Sequence, residues 1–138
     1  MARAGLVRSL GGFPVDLPQG EDDHLWLQLA RRADFYYLPQ VTAAYVQRSG
    51  SLTDDGTAPG HWKQQSLARL LGDADFAPWH AALRRRLAQL HGQEAAYHAR
   101  HGARRQALRA AWGGLRLRPV EANCWKSMVR GLLTGGRP

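Results

Sequence analysis

The stretch Phe35-Tyr36-Tyr37-Leu38-Pro39-Gln40-Val41-Thr42-Ala43-Ala44-Tyr45-Val46 decides the fold class. Phe35 to Leu38 is short and aromatic and ends at Pro39, and Val41 to Val46 brings in β-branched and aromatic residues. Both runs read as short strands or extended segments. Just upstream, Gly20-Glu21-Asp22-Asp23 opens the run His24 to Arg32. Acids in the first turn and arginines in the last suit the helix dipole. Leu25 with Leu29, and Trp26 with Ala30, supply an i, i+4 apolar stripe. Further upstream, Leu6 to Pro18 holds Gly11-Gly12, Pro14 and Pro18 and reads as loop-rich. Downstream, Ser49 to Gly60 is rich in Ser, Thr, Asp and Gly, so it reads as a loop and an organisational boundary.

From His61 onward the pattern turns helical. Leu67, Leu70 and Leu71 keep helical register within Trp62 to Leu71. Asp73 to Asp75 breaks the run, and Pro78 suits the first turn of the next helix. Leu83, Leu87 and Leu90 form a stripe opposite Arg84, Arg85 and Arg86. Further helices are predicted over Gln93 to Arg100, Ala103 to Leu117 and Val120 to Leu133. The expected architecture is α+β and mostly helical, with one helix and two short strands in residues 1–53. A loop follows over 54–60, and then a basic helical tail over 61–138. Tyr97, Gly102, Ala107, Leu115 and Pro119 sit roughly where a tetratricopeptide-like hairpin places such residues. One copy makes no repeat array, which needs about three units, so the stretch reads as helical packing.

The chain has 138 residues, enough for one compact domain with a core of its own. Cys124 is the only cysteine, so no intramolecular disulfide forms, and this fits a reducing, cytosolic setting. No apolar run approaches the ~20 residues of a membrane helix, and Met1 to Leu10 has no apolar stretch of the signal-peptide kind. The formal charge of +8 is lopsided: residues 77–138 hold twelve Lys/Arg against two Asp/Glu, a net +10. Such a tail favours anionic partners or is simply a solvated basic face.

Among chemistry-bearing groups, Glu21-Asp22-Asp23 stands out. A carboxylate held among like charges can have a raised pKa and suit general-base work. An over-capped helix start is the plainer alternative. Asp73-Ala74-Asp75 has the spelling of a metal motif, but its flanks suggest a helix cap. His98 and His101 lack the partners of a zinc set, and phosphate-loop, dinucleotide and nucleophile-elbow fingerprints are absent.

Taken together, Gly11-Gly12-Phe13, Gly20-Glu21-Asp22, Leu25-Trp26-Leu27, Phe35-x-Tyr37-Leu38-Pro39, Tyr45 and Gly50-Ser51-Leu52-Thr53 resemble the second half of bacterial family-2, GT-A-type glycosyltransferases. Order and spacings match over roughly residues 6–53, under half of the chain. Each piece is common, and the ordered set is fairly specific.

The resemblance implies inverting transfer from a nucleotide sugar to an acceptor hydroxyl of a carbohydrate or lipid-linked acceptor. Asp22 would be the base that deprotonates the acceptor, and Glu21 would shape the acceptor pocket. Gly11 and Gly12 would form a tight loop near the donor, or a plain turn. Arg48 stands where the family often has His, and Gln28 where it often has Arg. Arg48 can meet a diphosphate by bidentate hydrogen bonds but cannot ligate a metal.

The family's nucleotide-binding half precedes these motifs, and only ten residues precede Gly11 here, so the chain is expected to be inactive alone. No cofactor is expected in this chain; Mg or Mn with a nucleotide sugar belongs to a complete enzyme. Without that half, Phe13, Trp26, Phe35 and Tyr37 would form an apolar patch that promotes self-association. The expected setting is cytoplasmic, with peripheral contact at the anionic inner face of the membrane, and nucleic acid is the less favoured partner. The alternative is a small basic helical module that binds an anionic partner through Arg104, Arg105, Arg109, Arg116 and Arg118 with Trp112.

Overall fold

The computed structural model describes residues 2–17, 19–44, 46 and 60–133. The chain divides into two compact units, Met1–Thr57 and Ala58–Pro138.

The first unit holds helices α1 (Ala4–Ser9) and α2 (Glu21–Ala30), which pack on each other. The loop reading of Leu6 to Pro18 needs correction, because α1 takes up its first four residues. Gly11 and Gly12 close that helix. Gly11 N–H donates to the Arg8 carbonyl at 3.1 Å and Gly12 N–H to the Val7 carbonyl at 3.0 Å. This is the Schellman pattern, which needs a left-handed residue just past the helix, and Gly11 has φ +83°. A short helix gives too few turns for a hydrophobic period, so only the glycine pair marked its end. α2 starts where the acidic triplet lies, and its stripe residues Leu25 and Leu29 are buried together with Leu17.

The expected strands do not form among the described residues of 35–46. Among the described residues all regular structure is helical and no strand occurs, so the α+β expectation is overturned. Residues 34–39 and 41–44 carry no regular structure. Tyr36, Tyr37 and Val41 are 89%, 90% and 96% exposed. β-propensity reflects packing against neighbours on a sheet, and an isolated strand or hairpin is marginal in water. Aromatic and β-branched composition therefore marks this segment without supplying the ladder a strand requires.

The second unit is built on α4 (His80–Arg100). Helix α3 (His61–Gly72) and a 3-10 turn (Ala74–Trp79) pack on it, as do α5 (Arg104–Leu117) and α6 (Ala122–Leu133), and α5 also packs on α6. Leu67, Leu70, Phe76, Leu83, Leu87 and Leu90 are all buried, so the leucine stripe read from spacing is the inner face of α4. Pro78 lies inside the 3-10 turn, just ahead of α4.

The separate helix expected over Gln93 to Arg100 is the second half of α4. Gly92 does not interrupt it, because there the missing side chain admits α6. A Cβ on Gly92 would stand 3.0 Å from Asn123 Cβ and 3.4 Å from Cys124 Sγ. Beyond it the interior is made of small residues: Ala88, Ala95, Ala107, Ala110, Ala111 and Cys124 are buried around Leu115. Small side chains let helix backbones approach closely, and tight packing supplies dispersion contacts in place of bulk.

Candidate functional site

Helix α2 presents the acidic triplet. Glu21, Asp22 and Asp23 occupy its first turn behind left-handed Gly20, which offers no side-chain cap. Asp22 is exposed, and its Oδ1 accepts the Asp23 N–H at 2.7 Å. It makes no ion pair among the described residues. A carboxylate at a helix N-terminus meets the positive end of the dipole, worth ~0.3–1 kcal/mol.

An open cleft of about 1130 Å³ lies within the same unit. Arg3, just ahead of α1, lines it with Leu6 and Ser9 from α1, Trp26 and Leu29 from α2, and Arg32, Asp34, Phe35 and Tyr36 after it. Trp26 and Phe35 meet edge to face, with ring centroids 6.1 Å apart. Asp22 lies one turn before Trp26, on the same side of α2. Among the described residues, Glu21, Asp22, Gly11 and Gly12 are not in the lining of this cleft. Gly11 and Gly12 serve as the cap of α1. Arg48 lies outside the described residues, as do Tyr45 and Gly50-Ser51-Leu52-Thr53.

Sequence reading missed Arg3, Ser9, Arg32 and Asp34 as cleft residues, since nothing in their spacing brings α1 beside the end of α2. The cleft combines an aromatic pair with two guanidiniums, one carboxylate and the hydroxyls of Ser9 and Tyr36. Aromatic faces with a few hydrogen-bonding groups suit a small polar ligand with apolar faces.

In the second unit, Asp73 Oδ1 accepts the Asp75 N–H at 2.9 Å, so that pair is a helix cap. His101 Nδ1 lies 2.9 Å from the Tyr97 carbonyl and its ring is 4.2 Å from the Tyr97 ring. Among the described residues no group of three or more His, Cys, Asp or Glu side chains could hold a metal ion.

Helix α5 turns Arg105, Arg109, Trp112 and Arg116 outward at i, i+4, i+7 and i+11. Trp112 is 60% exposed, and none of the three arginines makes an ion pair among the described residues. No helix among the described residues is long and apolar enough to cross a membrane.

Glu94 anchors a polar cluster that sequence reading did not single out. Its Oε2 accepts Gln64 Nε2–H at 2.9 Å, joining α3 to α4. His91 Nδ1 stands 3.5 Å away, long for a hydrogen bond, and His98 Nε2 lies 3.8 Å from Oε1. The signal was present as His91-x-x-Glu94-x-x-x-His98, i−3 and i+4 on one helix face. His91, Gln64 and His98 hold the Glu94 carboxyl below its ordinary 4.5, with burial working against them.

A depressed carboxylate contributes stability above its unfolded pKa and loses it as pH falls through the folded one. The urea midpoint should therefore fall as pH drops below about 4.5, and Glu94→Gln should flatten that part of the curve. Superimposable curves for the two proteins would remove Glu94 as the cause.

Comparison with protein-family models, curated proteins and solved structures finds no match to the chain.

Proposed function

We propose that residues 6–53 are the acceptor-side segment of an inverting glycosyltransferase, and that these 138 residues do not turn over a nucleotide sugar by themselves. The observation that carries this reading is the ordered motif set, with Asp22 solvent-open on the first turn of α2. A general base must reach the proton it removes, and an exposed carboxylate without an ion pair is free to do so. The aromatic and guanidinium groups of the nearby cleft add a place for a carbohydrate or lipid-linked acceptor to rest. Transfer needs donor and acceptor held in one site, so the nucleotide-binding elements come from elsewhere, together with any Mg or Mn they use.

A second reading is favoured by the α5 stripe. Three unpaired arginines around an exposed tryptophan suit a module that holds an anionic partner, whether an acidic protein, a membrane surface or nucleic acid.

The deciding experiment is an NMR titration of the intact chain with a panel of oligosaccharides, then with nucleotide sugars plus Mg²⁺. The transferase reading expects oligosaccharide shifts over Glu21–Trp26 and Phe35 that weaken severalfold in Asp22→Asn, and no response to nucleotide sugar. Absence of any oligosaccharide response sinks it. Loss of heparin retention in an Arg105→Ala/Arg109→Ala variant, with no response to sugar, would establish the second reading instead.

A further inference from the structure

We propose that the cleft beside α1 and α2 is a binding site for an acidic oligosaccharide, in which Arg3 and Arg32 hold a sugar residue that carries a carboxylate. This names the acceptor class for the transferase reading above and rests on that reading. Arg3, Arg32 and Asp34 line the one cleft, all three are exposed, and none makes an ion pair among the described residues. A concave site with apolar walls and a few polar groups is the usual form of a small-ligand site. Here those polar groups are still available to a ligand.

The polar groups divide by what they can do. Arg3 and Arg32 only donate, in the planar fork that meets a carboxylate through two parallel hydrogen bonds. The Asp34 carboxylate accepts. Ser9 commits its hydroxyl proton to the Leu6 carbonyl at 2.8 Å, so its oxygen also accepts. A ligand that satisfies all four carries an anion for the guanidiniums and hydroxyl donors for Asp34 and Ser9. Trp26 and Phe35 are 41% and 58% exposed and meet edge to face, which leaves ring surface for the C–H face of a sugar. A hydroxyl-rich ring with an acid on it is a sugar acid.

Charge selects between the oxyanions a guanidinium takes. Two guanidiniums against the Asp34 carboxylate leave one positive charge over. A single carboxylate on the ligand balances it, whereas a phosphate monoester brings about −1.5 to −2 and overshoots beside Asp34. Length follows from α2. From Asp22 to the helix end at Ala30 is ~12 Å along the axis, and Arg32 lies beyond that end. A hydroxyl presented to Asp22 and an acid held by Arg32 are therefore on different rings of one chain, with the acidic ring set back from the one that reacts. At about 1130 Å³ the cleft exceeds the ~300–1,000 Å³ of sites for single small ligands, which leaves room for such a chain.

The test titrates the full ¹⁵N-labelled chain with three ligands. They are cellotriose, the same trisaccharide oxidised to a glucuronate at its non-reducing end, and its C6 phosphate monoester at that end. The glucuronate form is expected to bind roughly tenfold more tightly than cellotriose, through charge-assisted hydrogen bonds, and to shift Arg32, Asp34 and Phe35. Raising the salt from about 20 to about 500 mM should erase most of that preference, because exposed charges are screened. Arg3→Gln/Arg32→Gln should remove the preference and leave cellotriose binding in place. The salt series uses the native chain, so it keeps the inference testable if the double variant loses its fold. Equal binding of the acidic and neutral trisaccharides overturns this inference and leaves the transferase reading standing, whereas binding of neither overturns both. Tighter binding of the phosphate overturns the carboxylate assignment. Shifts confined to Arg105, Arg109 and Arg116 of α5 overturn the site itself.

Discussion

Replacing Gly114 by alanine is expected to destabilise the second unit by about 1–2 kcal/mol, while Gly113→Ala one residue earlier stabilises it by about 0.5–1 kcal/mol. Both glycines lie inside α5, where alanine is the better helix former. At Gly113 the new methyl group would meet only the His91 ring, at 3.4 to 3.6 Å, an ordinary van der Waals distance. At Gly114 it would overlap Cys124 Sγ and press on the Ala88 carbonyl oxygen and His91 Cβ, each at 3.1 Å. The Cys124 side chain is fully buried and the carbonyl belongs to α4 backbone, so neither can step aside cheaply. Helices α4, α5 and α6 would have to move apart. Urea or thermal melts of the two variants decide the matter, with about 4–8 °C expected per kcal/mol in a domain of this size. A Gly114→Ala protein as stable as Gly113→Ala would mean that the three helices are not in this contact.

Native Cys124 should react with iodoacetamide or Ellman's reagent at least a hundredfold more slowly than the same cysteine in the urea-unfolded chain. Burial pushes its thiol up to about 11, and the Glu121 charge adds to that rise, against an ordinary 9.0. Two units leave about a hundredth of the usual thiolate at neutral pH, and the thiolate is the reacting species. The side chain is also inaccessible, and Sγ–H points to the Ala88 carbonyl at 3.6 Å. Labelling must therefore wait for the unit to open, so its rate measures that opening. Gly114→Ala should accelerate it, because the substitution wedges apart the contact that shields Sγ. Prompt native labelling at neutral pH would contradict the buried position of Cys124.

Much of the helical layout was legible because it rests on local physics. The acidic triplet ahead of His24 marks the start of α2, since charge at a helix end acts over a single turn. Leu83, Leu87 and Leu90 mark the inner face of α4, because 3.6 residues per turn puts them in line. Pro119 and Gly102 mark the ends of α5 and α4, one by denying an amide donor and the other by accepting a left-handed turn with φ +72°. The candidate base Asp22 was visible as residue type and position. The cleft beside it was not, because Arg3, Ser9, Arg32 and Asp34 meet only after α1 packs on α2.

The residues from Phe35 to Val46 show where local reading stops. Their composition determined that the segment is aromatic and β-branched, and nothing local determined whether it has a partner strand. A strand is completed by hydrogen bonds to another segment, so its existence is a tertiary fact, and among the described residues no such partner occurs. The same limit applies at Gly92 and Gly114. Sequence marks them as weak points in helices, and only the meeting of α4, α5 and α6 makes Gly92 a tight contact and Gly114 a position where a methyl group would overlap Cys124. Helix periodicity, end signals and charge were determined by the sequence itself, because each acts within a few residues along the chain. The loss of the expected strands and the small-residue seam around Cys124 were decided by the tertiary structure, because each depends on which distant surfaces come into contact.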